Sequence, residues 1–235
     1  MKIIVIIISL IIAPNINSDY KKPGKKIVEL GNYESINING PFRVQLYSGK
    51  EGEIELTGNN TTTELIEIFI YNDELIIRPI KMNWSFKSWF GRINKYKDLR
   101  KIKINIPVED INKISLNGSG NITSKDILEN KAFAIKLNGS GNIEVNLNSD
   151  EIITKINGSG NIILRGKSKE SEFKINGSGS IQAIDLLSRR VDAKINGSGN
   201  IELFSINNPS TKINGSGNIH SYGPNKFNHK IFDID

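Results

Sequence analysis

Across the C-terminal half of the chain, apolar residues recur singly between polar ones: Lys155-Ile156-Asn157, Lys174-Ile175-Asn176 and Lys194-Ile195-Asn196 each set one isoleucine between two polar neighbours. Alternation with period two is strand chemistry, and no stretch here is long enough or suitably spaced for an amphipathic helix. Between these stretches stands Asn-Gly-Ser-Gly, followed by Asn or Ser and then Ile. The unit begins at Asn117, Asn138, Asn157, Asn176, Asn196 and Asn214, with spacings of 21, 19, 19, 20 and 18 residues. A period near twenty marks a solenoid, in which each unit buries its apolar edge only against its neighbours. The pattern predicts an all-β coil of about six parallel rungs, stacked about 4.8 Å apart. Ile156 with Ile162, Ile175 with Ile181 and Ile195 with Ile201 face inward, while Lys155, Asn157 and Asn161 face out.

The glycine pairs are Gly118 and Gly120, Gly139 and Gly141, Gly158 and Gly160, Gly177 and Gly179, Gly197 and Gly199, and Gly215 and Gly217. They are expected to turn a tight corner that needs positive φ. Asparagine and serine suit the same corner, and stacked asparagines are expected to form an amide ladder along one edge. The Asn-Gly-Ser triplets also match the N-glycosylation pattern, but the turn alone accounts for them.

The first half is less regular. Stretches such as Phe42-Arg43-Val44-Gln45-Leu46, Ile66-Glu67-Ile68-Phe69-Ile70 and Leu75-Ile76-Ile77-Arg78 alternate as half-buried strands, punctuated by Gly40-Pro41, Ser48-Gly49 and Asn72-Asp73. This half is expected to continue the sheets of the coil or to close its first rung, because an uncovered solenoid end exposes edge and core. At the start, Met1 and Lys2 precede an apolar run from Ile3 to Ile12 that is too short to span a membrane. Residues 1–18 read as a signal peptide, which predicts export to the periplasm, outer surface or medium.

Composition narrows the chemistry. The chain of 235 residues has no cysteine, which removes disulfides, thiolate nucleophiles and cysteine-bound metals. It has two histidines, His220 and His229, and a net charge of +6 that is not concentrated into a nucleic-acid signature. Calcium-binding repeats place carboxylates after the glycines, whereas here the position holds Asn121, Asn142, Asn161, Ser180, Asn200 and Asn218. No metal or other cofactor is expected.

The six Gly-Ser-Gly units, the β-rich segment before them, the Ile104-Asn105-Ile106-Pro107 strand end and the closing Tyr222-Gly223-Pro224 together resemble the head GIN domain family of auto-transporter adhesins. The resemblance covers residues 27–225, divided into an irregular half (27–116) and regular repeats (117–225), with a tail at 226–235. It implies a right-handed, single-stranded parallel β-helix on a secreted or surface bacterial protein with an adhesin-like role. The sequence departs from the family pattern where Asn or Ser replaces the usual Asp after the second glycine.

Two features stand out as candidate contact surfaces. Residues 81–101 form an aromatic and basic stretch between predicted strands, with Trp84, Phe86, Lys87, Trp89, Phe90 and Arg92 at its centre. Long insertions on rigid scaffolds often carry binding, and tryptophan faces stack on sugars or sit at membrane interfaces. The alternative is that these rings plug the coil end. The second feature is Lys136, Lys155, Lys174, Lys194 and Lys212, each two residues before the repeat asparagine, which stacking aligns into an outer ridge. An anionic glycan, a matrix protein or an anionic envelope component suits both. Glu172 and Asp192 share a column on adjacent rungs, where they are expected to pair with Lys174 and Lys194 rather than to work as a glycosidase pair. The sequence thus reads as a non-enzymatic binding module, with a carbohydrate-active enzyme or an envelope assembly protein as alternatives.

Overall fold

In the computed structural model, which describes residues 24–80 and 98–224, the repeat units are strands lying on one another in register. The chain runs through β1 (Gly24–Glu29), β2 (Ser35–Asn39), β3 (Arg43–Ser48), β4 (Glu53–Gly58), the short helix α1 (Asn60–Thr63), β5 (Ile66–Tyr71), β6 (Glu74–Pro79), β7 (Lys103–Val108) and β8 (Lys113–Gly118). Four long strands follow, β9 (Asn121–Gly139), β10 (Asn142–Gly158), β11 (Asn161–Gly177) and β12 (Ser180–Gly197). Three short ones complete the order: β13 (Asn200–Ser205), β14 (Ser210–Gly215) and β15 (Asn218–Tyr222). The pairings of β8 through β15 are parallel, so the fold is an all-β solenoid of about six turns. The alternation predicts two short strands per unit. Instead the ladders persist through the remaining bends, and each of the four middle units is one strand of 17 to 19 residues.

The register also explains the uneven period. Thr123 and Ile127 of β9 pair with Glu144 and Asn146 of β10, so two extra residues are absorbed there, which turns a spacing of 19 into 21. Ile163 and Gly166 of β11 pair with Gln182 and Leu186 of β12, which absorbs the one extra residue of the 20-residue unit. Length varies away from the glycine corner, whose register is unbroken from Gly118 to Gly215.

Inside, Ile143, Ile162, Ile181 and Ile201 form one fully buried ladder, and Ile156, Ile175 and Ile195 another. Volumes alternate where they must. Phe173 is buried between Thr154 below and Ala193 above, the large ring taking space that its small neighbours leave.

The two described ends differ. At the N-terminal end β5 pairs antiparallel with β6, turning through Asn72 and Asp73 at φ values of 49° and 57°. Both residues tolerate that left-handed conformation. On the neighbouring side β1 pairs antiparallel with β4, and β4 with β7. These strands bury Val28, Ile54, Leu56, Ile66, Leu75 and Ile77 over the first coil, so the N-terminal half both continues the sheets and closes them. At the other end Ile213, next in the column after the fully buried Ile195, is 41% exposed.

Candidate functional site

The site is built from the corner outward. The first glycine of each corner has positive φ, between 125° and 134° from Gly139 to Gly215, as the turn requires. The second glycine does not, and the expectation that both serve that purpose needs correction. It is glycine because of the coil beneath: a Cβ on Gly160 would stand 2.3 Å from the Gly141 carbonyl oxygen and 2.6 Å from Leu137 Cδ2. With no side chain in the way, the corner amides donate vertically. Ser159 N and Gly160 N reach Gly139 O at 3.0 and 3.1 Å, and Asn161 N reaches Gly141 O at 3.1 Å.

Beside the corner the expected amide ladder is present. Asn138 donates to Asn117, Asn157 to Asn138, Asn176 to Asn157, Asn196 to Asn176 and Asn214 to Asn196, all at 2.7 to 2.8 Å. Its foot extends into the irregular half, where Asn117 donates to Asn39 at 2.9 Å and to Asn37 at 3.0 Å. The sequence reading missed this rung, although Ile38-Asn39-Gly40 repeats the Ile-Asn-Gly of the later units. Across the corner a second ladder joins Asn121, Asn142 and Asn161, is interrupted at Ser180, and resumes where Asn218 donates to Asn200 at 3.5 Å.

Two residues before each ladder asparagine stands the lysine ridge. Lys136, Lys155, Lys174, Lys194 and Lys212 are direct partners from strand to strand, on β9, β10, β11, β12 and β14. Lys136, Lys194 and Lys212 are exposed, and Lys155 and Lys174 are half-buried. Carboxylates touch the ridge at two points. Lys155 Nζ lies 3.9 Å from Glu172, so Glu172 leans toward the coil below instead of to Lys174. Lys194 Nζ lies 3.3 Å from Asp192 Oδ1, close enough for an ion pair but without hydrogen-bond geometry. Among the described residues, Lys136, Lys174 and Lys212 have no carboxylate within 4.0 Å.

Below the ridge sits Glu74, which accepts from Lys113 at 2.8 Å and Asn37 at 3.2 Å. Burial alone pushes its carboxyl up, but those two hydrogen bonds and the charges of Lys113 and Lys136 outweigh burial and hold it below its ordinary value. Glu51, in contrast, accepts backbone amides of Tyr33 and Glu109, yet burial dominates and pushes it up. It ties two loops at the closed end. Glu172 and Asp192 are register partners, and each carboxylate faces a lysine. Among the described residues no group of three or more His, Asp or Glu is placed to hold a metal.

Trp84, Phe86, Lys87, Trp89, Phe90 and Arg92 lie outside the described residues. Their flanks do not. β6 pairs parallel with β2 and β7 with β3, and the stretch lies between β6 and β7 in sequence.

Residues 32–224 match the family described as putative auto-transporter adhesin, head GIN domain. The chain belongs to that family. The head GIN domain's description points to non-enzymatic binding at a cell surface. Solved structures similar to this head GIN domain include a putative adhesin from Bacteroides fragilis, 20% identical, with a TM-score of 0.72 over 86% of this chain and 98% of that one. Another is a putative lipid binding protein from Parabacteroides distasonis, 20% identical, with a TM-score of 0.65 over 86% of this chain and 97% of the other. A putative adhesin from the same species is 19% identical, with a TM-score of 0.60 over 86% and 97%. At these identities the likeness establishes the fold alone. No curated protein matches the chain. No helix among the described residues is long and apolar enough to cross a membrane.

Proposed function

We propose that this head GIN domain is an exported, non-enzymatic adhesive module whose lysine ridge holds an anionic glycan laid along the coil axis. One observation carries the reading: five lysines occupy one column, one per rung. Like charges about 5 Å apart repel by roughly 0.8 kcal/mol per pair even in water. A linear polyanion relieves that repulsion at every rung, and the rigid stack keeps the spacing fixed without an ordering cost on binding. The family's adhesin description supports the surface role, and the aromatic insertion between β6 and β7 supplies ring faces to the same ligand.

The test is binding of residues 19–235 to polygalacturonate and heparin, with uncharged dextran as control. A Lys155→Gln, Lys174→Gln, Lys194→Gln variant is compared with Trp84→Ala, Trp89→Ala. Saturable, salt-sensitive binding to the acidic polymers that weakens at least tenfold in the lysine variant is expected. Undiminished binding in that variant overturns the ridge, and loss in the tryptophan variant alone moves the site to the insertion.

A further inference from the structure

A different side of the coil carries a second cationic surface, with apolar residues beside it. Past the first bend, the segments around residues 129–131, 148–150, 167–169, 187–189 and 206 line an open groove of about 780 Å³. Its floor is fixed by hydroxyls that close the next bend: Ser149, Ser168 and Ser205 each donate to the carbonyl two residues ahead, at 2.7 to 2.9 Å.

The lower part of the groove satisfies its own charges. Asn148 donates to Glu129 at 3.3 Å, and Lys169 pairs with Asp150 at 2.8 Å. The upper part does not. Glu129, Asn148, Lys167 and Leu187 are successive partners in one outward column, so an apolar residue takes a position that is polar in the three coils below it. Leu187 is 43% exposed, and Ile206, whose amide bonds to Ser188 one coil lower, is 44% exposed. Lys167 and Arg189 flank this pair, both exposed, and neither has a carboxylate within 4.0 Å among the described residues.

Two unpaired cations beside two exposed aliphatic side chains, all within three rungs or about 10 Å, match a ligand with an anionic head and an apolar body. A glycan chain supplies the charge and not the aliphatic part. We propose that this upper groove docks an anionic phospholipid surface, with a headgroup phosphate between Lys167 and Arg189 and acyl carbon against Leu187 and Ile206. The ridge takes no part in this contact, so the domain lies against a bilayer on one side and presents its lysine column on another.

The experiment is co-sedimentation of residues 19–235 with phosphatidylcholine vesicles, with and without phosphatidylglycerol. Each cation near an anionic surface is worth about a factor of five, so Lys167→Gln, Arg189→Gln is expected to weaken binding to the anionic vesicles roughly thirty-fold. Leu187→Ser, Ile206→Ser is expected to abolish the part of the binding that survives high salt. Lys155→Gln, Lys174→Gln on the ridge is expected to change vesicle binding less than threefold while reducing polysaccharide binding. Thermal unfolding of each variant confirms that it is folded. Equal loss from ridge and groove variants, equal binding to neutral vesicles, or no vesicle binding overturns the proposal. None of these outcomes touches the glycan reading of the ridge, whose failure shows instead in the polysaccharide assay.

Discussion

The first corner of the coil and the six that follow have the same length and the same column, yet different residues. Asn39-Gly40-Pro41-Phe42-Arg43 stacks against Asn117-Gly118-Ser119-Gly120-Asn121, with Asn39 opposite Asn117 and Arg43 opposite Asn121. Where each later corner has its second glycine, the first has Phe42, fully buried. The difference is what lies beneath. A Cβ on Gly120 would stand 2.7 Å from the Phe42 carbonyl oxygen of the coil beneath it. The second glycine is therefore imposed by the corner beneath it, whose backbone leaves no room for a Cβ. The same rule separates the repetitive half from the irregular one. Stacked coils copy their residue identities upward, while antiparallel closing strands answer only to the core they cover.

The largest effect is expected from adding side chains inside the stack. In Gly158→Val, Gly160→Val, the new Cβ atoms fall 2.4 and 2.3 Å from backbone oxygens of the coil below, and Gly158 has a φ of 134°. Strain plus separation of two coils predicts a loss on the order of 5 kcal/mol, read by urea unfolding. Gly31→Ala at the closed end meets only Ile70 Cδ1, at 4.0 Å, and is expected to change stability by less than about 0.5 kcal/mol. Comparable losses from the two changes break the comparison. Within the ladder, Asn157→Ala removes one donated and one accepted bond, to Asn138 and Asn176, while Asn214→Ala removes the bond it donates to Asn196. Expected losses are about 1 to 2 kcal/mol for the first and half that for the second. Equal losses would show that the number of ladder bonds a residue makes does not set its contribution.

The solenoid, the inward isoleucines, the amide ladder and the lysine column were all legible because each rests on a residue repeated at fixed spacing. Other features were not, for identifiable reasons. Asn39 and Gly40 stand outside the period, since 78 residues separate Asn39 from Asn117, its neighbour in space. The length of the middle strands was hidden because bends at Asp150 and Lys169 interrupt the alternation without interrupting the pairing on either side. Glu172 turns to Lys155 of the coil below, a choice between two lysines in one column that spacing does not decide. Leu187 stands in a column of unlike residues, Glu129, Asn148 and Lys167, so only stacking brings Lys167 beneath Leu187.

The smallest effect concerns the ridge itself. Lys174 sits between Lys155 and Lys194, and Glu172, two residues before it in sequence, pairs with Lys155 instead. If the column is kept for a ligand and not for folding, Lys174→Gln should stabilise the free protein, because it removes two like-charge contacts and no ion pair. The gain is expected to be a few tenths of a kcal/mol at low salt, since each contact is worth below about 1 kcal/mol in water, and to vanish near molar salt, where the screening length falls to about 3 Å. Polyanion binding by the same variant should weaken over the same salt range in which its stability advantage appears. A destabilised Lys174→Gln would instead mean that the lysine stem or an ion pair supports the sheet, and that the column serves the stack as the asparagines do.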